Sequence, residues 1–387
     1  MPDFTSALYL GMRHPSGALP HWDMLSLGQP AALREPPGSA TVAEQLARLQ
    51  GCEAALMLPS TLHLFRDLFG VLRRLAGRIV IQVDAGSYPI ARWGIERAAV
   101  LGVPVARFGH HDPDALARQV AHWHRRGYRP VIVADGFCPG CGGAAPVAAY
   151  AALARRHGGW LVLDDTQALG VLGTRDAAQA PANAAADGEP DAAAPLGRGG
   201  GGSLRWHGVQ GPHLVVGASL AKAFGAPVAV LSGSAALVAQ FRAHSDTQLH
   251  CSPPSVPVLQ AARHALAVNA VRGDALRARV ARLVARLRER LARAGLVARG
   301  TALPFPVQTF SAAPGVALQA LYRGLLAQGI RVLLTRVCRA ARPRLTVLLT
   351  ARHSELDIDL AARAIAALTH AGRDAPAFGG GTIWTSP

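Results

Sequence analysis

One residue type is almost missing from this chain. Of its 40 basic residues one is a lysine, Lys222, and the others are arginines. On a surface the two exchange readily, since both carry a solvated positive charge. Arginine cannot replace lysine where an amine must lose its proton and attack a carbonyl carbon, because guanidinium stays protonated. The setting of Lys222 suits that chemistry. It lies in Gly217-Ala-Ser-Leu-Ala-Lys222-Ala-Phe-Gly225, directly after the apolar run His213–Gly217. Ser219 is placed to reach a phosphate oxygen, and the glycines let backbone approach closely. An ordinary surface lysine would be odd in a chain that uses arginine everywhere else.

A second stretch, Trp160-Leu-Val-Leu-Asp164-Asp165-Thr-Gln167-Ala-Leu-Gly170-Val-Leu-Gly173, ends an apolar run in acid. A carboxylate there is costly unless it meets a cation. A protonated pyridine nitrogen is such a cation, and the carboxylate then holds the ring as an electron sink. Gln167, three residues on, can donate to the phenolic oxygen of such a ring. The plainer reading is a strand-end carboxylate that caps the following turn. A third stretch, Glu53–His63, runs from apolar residues into Ser60-Thr61-Leu62 at the start of a helical pattern. Its free N–H groups and dipole can seat a phosphate, although a simple N-cap accounts for the same residues. Together an amine, an acid for a ring nitrogen and a phosphate seat describe a site for pyridoxal phosphate, carried on Lys222 as a Schiff base.

The elements that must position these residues are legible as apolar runs at Ala54–Leu58, Arg78–Val83, Val103–Phe108, Pro130–Ala134, Trp160–Asp164, His213–Gly217 and Val228–Ser232. Between several of them lie helical patterns. One is Pro113–Arg126, with Asp112 at the N-cap and Gly127 past the end; another is Val147–His157. Unbroken apolar strands alternating with helices predict an α/β fold with a mostly parallel seven-stranded sheet covered on both faces. Ligands of such sheets bind beyond the carboxyl ends of the strands. Thr174–Ser203 is alanine, glycine and proline with little to bury, and reads as a mobile surface insertion. Val256–Ala294 reads as linking helices, more than one. Beyond it, strands near Val307–Ser311, Arg331–Leu334 and Leu345–Leu349 and helices at Val316–Gln328 and from Glu355 predict a smaller α+β domain. The expected organisation is therefore an N-terminal segment (1–40), a large domain (41–255, with the 174–203 insertion), linking helices (256–294), a small domain (295–372) and a frayed tail (373–387).

Composition narrows the class. A formal charge of +16 invites a nucleic-acid hypothesis, but the arginines are scattered singly, without an aromatic-interleaved cluster or a nucleic-acid motif. Coding bias accounts for them, with attraction of an anionic substrate or an acidic carrier protein as a lesser reading. No apolar run is long enough to span a bilayer. The N-terminus has no secretory pattern, and five sparse cysteines fit a reducing cytoplasm. Cys138-Pro-Gly-Cys141 has the spacing of a redox pair or half a zinc site, but no second pair follows at zinc-finger spacing. His110-His111 and His122-Trp-His124 offer metal ligands as a lesser reading, but read better as a loop and one helix's partly exposed face, and no metal is expected.

In order and content the three chemical stretches resemble the α-oxoamine synthase family of fold type I pyridoxal-phosphate enzymes. DDTQALGVLG resembles the family's Asp-Glu/Asp-Ala-His…Gly-x-x-Gly, and Gly217–Gly225 its Gly-Thr-x-Ser-Lys-Ala-x-Gly. Ser60, Thr61 and Leu62 fall on its Ser-Gly-Tyr/Phe phosphate turn. Ala134-Asp135-Gly136-Phe137 resembles its Glu/Asp-Gly-Val-Phe loop. Cys251-Ser-Pro-Pro254 resembles the turn that reaches the partner subunit's phosphate, and Leu345–Asp359 the closing strand and helix. The resemblance spans roughly residues 40 to 370 outside the insertion.

Three positions depart from the family. Its cofactor-stacking histidine falls on Tyr88, which can stack but cannot act as an imidazole acid. Its Asp-x-Ala-His histidine is Gln167, a residue also found in the Asp-Glu-Val-Gln of class III aminotransferases. The arginine that holds the amino-acid carboxylate falls on Thr346, with Arg344, Arg336 and Arg339 as substitutes nearby. The resemblance implies a homodimer with Lys222 as the cofactor's anchor and base and Asp164 on the ring nitrogen. Tyr88, Gln167, Ser60, Thr61, Leu62, Ser219 and Asp135 would surround the cofactor. It implies condensation of an amino acid with an acyl thioester, on coenzyme A or an acyl carrier protein, with loss of carbon dioxide. An aminotransferase and a non-catalytic pyridoxal-phosphate binder stand as alternatives.

Overall fold

A computed structural model describes residues 2–14, 24–175, 194–293, 298–299, 303–310, 317–335 and 343–374, the side chains of 298–299 and 371–374 excepted. The seven apolar runs all form strands, and their order explains where the chemistry gathers. They are β1 (Ala54–Leu58), β2 (Ile79–Asp84), β3 (Val105–Phe108), β4 (Arg129–Asp135), β7 (Trp160–Asp164), β8 (Leu214–Ser219) and β9 (Ala229–Gly233). They join in the order β1-β9-β8-β7-β4-β2-β3. The run from β3 to β8 is parallel, while β9 lies antiparallel to both its neighbours. All six residues of β2 are buried, as a strand covered on both faces requires. A short hairpin, β5 (Phe137–Cys138) with β6 (Gly143–Ala144), follows β4.

Helices clothe both faces. In chain order they are α1 (Ser39–Gln50), α2 (Thr61–Ala76), α3 (Pro89–Val100), α4 (Pro113–His124), α5 (Val147–Arg156), α6 (Ser203–His207), α7 (Ala235–His244) and α8 (Asp246–His250). Asp112 caps α4 as expected, accepting from the Ala115 N–H at 2.8 Å. On one face Leu64, Phe65, Leu68 and Phe69 of α2 pack with Ile81, Val131, Val162 and Val215 of the sheet. On the other, Tyr150 and Ala154 of α5 meet Ile132, Leu161 and Val216. At about 1.5–3 kcal/mol for each fully buried large apolar side chain, these two layers fix the strand ends that carry the polar groups.

Where several linking helices were expected, one helix of 38 residues runs unbroken: α9 (Val256–Arg293). Its Gly273 would be a weak point in an exposed helix. Here a Cβ at that position would meet the Asn269 amide and the Arg277 guanidinium. Arg277 is buried, bonded to the Gly170 carbonyl at 2.9 Å, Asn269 at 2.8 Å and Asp274 at 2.6 Å. Glycine thus clears the way for an arginine that ties α9 to the loop after β7.

Beyond α9 lies a four-stranded antiparallel sheet, β10 (Ala298–Arg299), β11 (Val307–Phe310), β12 (Leu333–Thr335) and β13 (Arg344–Leu348), ordered β10-β11-β13-β12. It packs with α10 (Leu318–Ala327), α11 (Glu355–Asp374) and the N-terminal Phe4. The expected smaller unit is therefore present.

The insertion expected over Thr174–Ser203 needs correction. Residues 176–193 lie outside the described residues, as does the expected tail from 375 on. Residues 194–203, however, are built into the fold. Arg198 bridges to Thr174 and Gly201 to Leu169, and Leu196 and Ser203 are buried. Composition misled because glycine packs through its backbone. Gly197, Gly199, Gly200 and Gly202 all have positive φ, and a Cβ on Gly201 or Gly202 would strike the Leu49 carbonyl or the Asp165 carboxylate.

Candidate active site

The site lies at the carboxyl ends of β4, β7 and β8. Asp164 ends β7 and stands in register with Asp135 on β4 and Gly217 on β8. Two carboxylates side by side in a buried place resist ionisation. Burial raises Asp164, offset by Thr166 hydrogen bonds and the Lys222 charge. Burial and the charge of Asp164 hold Asp135 well above the usual carboxylate range, against an N–H bond from Tyr88. Lys222 follows β8 by three residues and is half-buried. Burial lowers its amine, against the opposing pull of Asp164 and Asp135. A buried amine with a lowered pKa is more often free of its proton, the state in which it attacks a carbonyl.

Thr166, which the sequence reading passed over, sets the register of this pair. Its N–H donates to Asp164 Oδ1 at 3.1 Å, and its Oγ1 accepts from the Ser219 N–H at 3.0 Å. The turn carrying Lys222 is thereby tied to the strand carrying Asp164. Ser219 Oγ accepts from the Ala221 N–H at 3.3 Å, within the same turn. Asp165 points away from the site. It accepts from the Ser203 N–H at 2.9 Å and from its hydroxyl, and burial raises it to about 6 against those bonds.

Gln167 has a partner that no local pattern announces. The hydroxyl of Tyr9 donates to Gln167 Oε1 at 2.6 Å, across 158 residues of sequence. Tyr9 is fully buried and lies edge-on to Phe305, which stacks on Phe137 at 3.6 Å between ring centroids. Burial pushes the Tyr9 phenol up, so it stays a donor. With Oε1 taken by a donor, the Gln167 amide is left with its N–H groups to offer.

The remaining expected residues surround this group. Ser60 is the residue before α2 with extended backbone, and its hydroxyl pairs with His63 Nδ1 at 2.8 Å instead of capping the helix. The first-turn N–H groups of α2, around Thr61, are therefore not taken by the Ser60 side chain. Leu62 on that turn is 43% exposed. Tyr88 opens α3, its N–H donates to Asp135 Oδ1 at 3.1 Å, and its ring is 56% exposed. Thr346 is buried on β13, its Oγ1 2.7 Å from that of Thr335. Arg344 reaches back to the Gly140 carbonyl at 2.6 Å. Arg336 and Arg339 lie outside the described residues.

A second polar group stands at the ends of β2, β3 and β4, where the sequence reads first as a loop, with metal binding as the lesser alternative. His110 follows β3, and its Nδ1 lies 2.6 Å from Asp84 Oδ1 at the end of β2. Its Nε2 lies 3.3 Å from the Cys141 sulfur. Burial lowers His110, but the bonds to Asp84, Cys138 and Cys141 and the Asp84 charge together outweigh it and raise the ring to about 12.

The donor set fits pyridoxal phosphate. A paired Asp164 and Asp135, both held back from ionising, is relieved by a ring cation as well as by Lys222. The uncapped start of α2 suits a phosphate.

Comparison with known proteins agrees with this chemistry. Residues 25–365 match the model of the family described as aminotransferase class I and II. An 8-amino-7-oxononanoate synthase of Geobacter sulfurreducens is 31% identical over 342 residues, covering 87% of this chain and 78% of the relative. A second synthase of that name, from Halorhodospira halophila, is 30% identical over 88% of this chain and 76% of its own length. Among solved structures, Sphingomonas wittichii serine palmitoyltransferase superposes with a TM-score of 0.78 at 18% identity, over 96% of this chain and 88% of the other. The 8-amino-7-oxononanoate synthase of Francisella tularensis gives 0.70 at 17% identity, over 96% and 98%. The chain therefore belongs to the aminotransferase class I and II family, within the pyridoxal-phosphate-dependent α-oxoamine synthases.

Proposed function

We propose that this protein condenses an amino acid with an acyl thioester, on coenzyme A or an acyl carrier protein, and releases carbon dioxide. The observation that carries this reading is the sole lysine, half-buried with a lowered pKa, electrostatically coupled to Asp164 and Asp135 at the strand ends. Pyridoxal phosphate bound there supplies an electron sink for the charge left on a substrate's α-carbon.

In this reading each residue has a distinct task. Lys222 would hold the cofactor's aldehyde and, as a free amine, would take the proton from the substrate's α-carbon. Asp164 keeps a proton on the ring nitrogen, with Asp135 beside it sharing the load. Gln167 donates its amide N–H to the ring oxygen. Ser60, Thr61 and Ser219, with the first N–H groups of α2, hold the phosphate, and Leu62 and Tyr88 cover the ring. The deprotonated α-carbon would attack the acyl carbonyl and expel the thiolate, which takes a proton from solvent; the carboxylate would then depart as carbon dioxide, and the Lys222 ammonium would return a proton to the α-carbon. Residues 41–255 and 295–372 form the two lobes around the site. The half-exposed Tyr88 and Leu62 would be covered by a second copy of the chain in a homodimer. We place the protein in the cytoplasm: none of the described cysteines is in a disulfide, and no described helix is long and apolar enough to cross a membrane.

The test begins with an absorbance scan and borohydride reduction of wild type and Lys222→Ala, followed by peptide mapping. A pyridoxyl group on residue 222 supports the reading, and its absence overturns it. Carbon dioxide and free thiol should then appear only when amino acid and acyl thioester are both supplied. Gln167 and Thr346 favour a second reading, an aminotransferase, which would convert the cofactor to its amine form with an amino acid alone. Cofactor absorbance without turnover in either assay would leave the third reading, a non-catalytic binder.

A further inference from the structure

The carboxyl ends of three adjacent parallel strands bring together residues that the proposed reaction does not use. Asp84 ends β2, His110 and His111 follow β3, and Cys138 and Cys141 follow β4. One ligand atom from each of Cys138, Cys141 and His110 lies within 4.8 Å of the other two. We propose that Cys138, Cys141 and His110 bind a zinc ion, with Asp84 orienting His110 from behind and His111 beside the remaining position.

The geometry is that of a metal centre in several independent respects. Zinc bonds of about 2.3 Å to sulfur and about 2.0–2.1 Å to nitrogen put neighbouring ligand atoms of a tetrahedron roughly 3.5 Å apart. The His110 Nε2 to Cys141 sulfur distance is 3.3 Å, and His111 Nδ1 lies 3.9 Å from the same sulfur. Two thiolates and imidazole nitrogen form a soft set that suits zinc rather than magnesium or calcium. The two cysteines sit on one tight turn, in which the Cys141 N–H points at the Cys138 sulfur at 3.5 Å and the Gly142 N–H closes on the Cys138 carbonyl at 2.9 Å. Gly142, with φ of 73°, makes this turn possible.

Asp84 behaves as the carboxylate behind a ligating histidine. It takes His110 Nδ1 at 2.6 Å, which leaves Nε2 directed at the sulfurs, and also accepts the His111 N–H at 2.9 Å. That second bond holds His111 in a left-handed conformation, φ 55°, which non-glycine residues adopt at a cost. The strained backbone keeps both imidazoles on the same side, their rings 3.8 Å apart. The metal's role is structural: it fixes the turn whose Gly140 carbonyl receives Arg344 from β13.

The experiment measures metal in the purified protein, independently of turnover or cofactor. Protein prepared without chelator is analysed by elemental mass spectrometry, then stripped with a strong zinc chelator under reducing conditions and reconstituted with zinc chloride. Stoichiometric zinc that survives gel filtration and returns on reconstitution is expected. Alkylation mapped by mass spectrometry should show Cys138 and Cys141 protected with zinc and reactive without it, while Cys52 and Cys251 do not change. Cys138→Ser and Cys141→Ser should lose the metal, and Asp84→Asn should weaken zinc binding by about 10–100-fold. Should a variant fail to fold, the wild-type protection pattern still decides. Zinc absent after reconstitution, another metal in its place, thiols indifferent to zinc, or a Cys138–Cys141 disulfide under reducing conditions would each overturn the assignment.

Discussion

The carboxyl ends of the large sheet and the interior strand β13 of the small sheet match the family's pattern to different extents. At the large sheet, Lys222, Asp164 and Ser219 stand in one hydrogen-bonded and charge-coupled set joined by Thr166. At the small sheet, the position that resembles the carboxylate-binding arginine is Thr346. It is buried, with its hydroxyl satisfied by Thr335. The difference has a physical root. An electron sink needs a particular amine and a particular acid, because their pKa values are the chemistry. Holding a substrate carboxylate needs only a cation within reach, and several frameworks can supply one. The chain therefore carries the amine and acid of the family's pattern, while the position that resembles the carboxylate-binding arginine holds a threonine.

The largest expected effect tests the first half of that comparison. Lys222→Ala should leave no reducible adduct at residue 222 and lower turnover by at least about 10⁴-fold, the upper range of what a positioned base supplies. Lys222→Arg sharpens the point: the charge is kept, yet the loss should be as large, since guanidinium does not give up its proton. In wild type the lowered amine should react with added pyridoxal phosphate at lower pH than an ordinary lysine does. The sign follows from the free-amine fraction, which at any pH below the usual lysine range rises as the pKa falls. Asp164→Asn comes next, with turnover down about 10²–10³-fold, the scale of removing one preorganised electrostatic partner. Unchanged turnover in that variant would detach Asp164 from the ring nitrogen.

The second half of the comparison is tested at Arg344. Among the described residues one of its five donors is spent on Gly140, which leaves others to offer a carboxylate. If it has taken over from the missing arginine, Arg344→Ala should raise KM for the amino acid about 10–100-fold with kcat little changed, the range of a hydrogen bond to a charged group. An equal loss in kcat and kcat/KM would show instead that Arg344 acts through the turn it grips. Thr346→Arg should not restore a family-like site. Its position is closed, so the longer side chain overpacks β13 and lowers Tm.

How much of this was legible before the structure depended on how far each signal reaches along the chain. Strands covered on both faces announce themselves by unbroken apolar runs, and Trp160–Asp164 and Ala54–Leu58 were placed to the residue. Asp112 marked the start of α4 through local chemistry alone, while its end falls at His124, two residues short of the expected Arg126. Lys222 was visible by contrast, as the single exception to a compositional rule. What escaped was long-range or carried by backbone. α9 was expected to be more than one helix, and nothing nearby in sequence shows that Arg277 occupies the space left at Gly273. The 194–203 glycines looked empty because hydropathy counts side chains, whereas their backbones do the packing. His110 and Cys141 come together only through the order β4-β2-β3, which no spacing rule contains. Thr166 had a weak signal, as the hydroxyl directly after two acids.

Tyr9 is the longest-range of these omissions and supports the smallest prediction. The bond from its hydroxyl to Gln167 Oε1 is part-buried, and the phenol fixes which end of the amide faces the site. Tyr9→Phe keeps the ring against Phe305 but removes the donor. The amide can then turn its oxygen toward the site, where it would repel a ring oxygen instead of donating to it. Loss of one such bond is worth about 1 kcal/mol, close to a fivefold loss of cofactor affinity. A shift in cofactor absorbance and in its pH dependence should accompany it. Tyr9→Leu also removes the edge contact with Phe305, so it should lower Tm further than Tyr9→Phe does. If both variants lower Tm alike and neither shifts the absorbance, Tyr9 is only packing, and Gln167 takes its orientation from elsewhere.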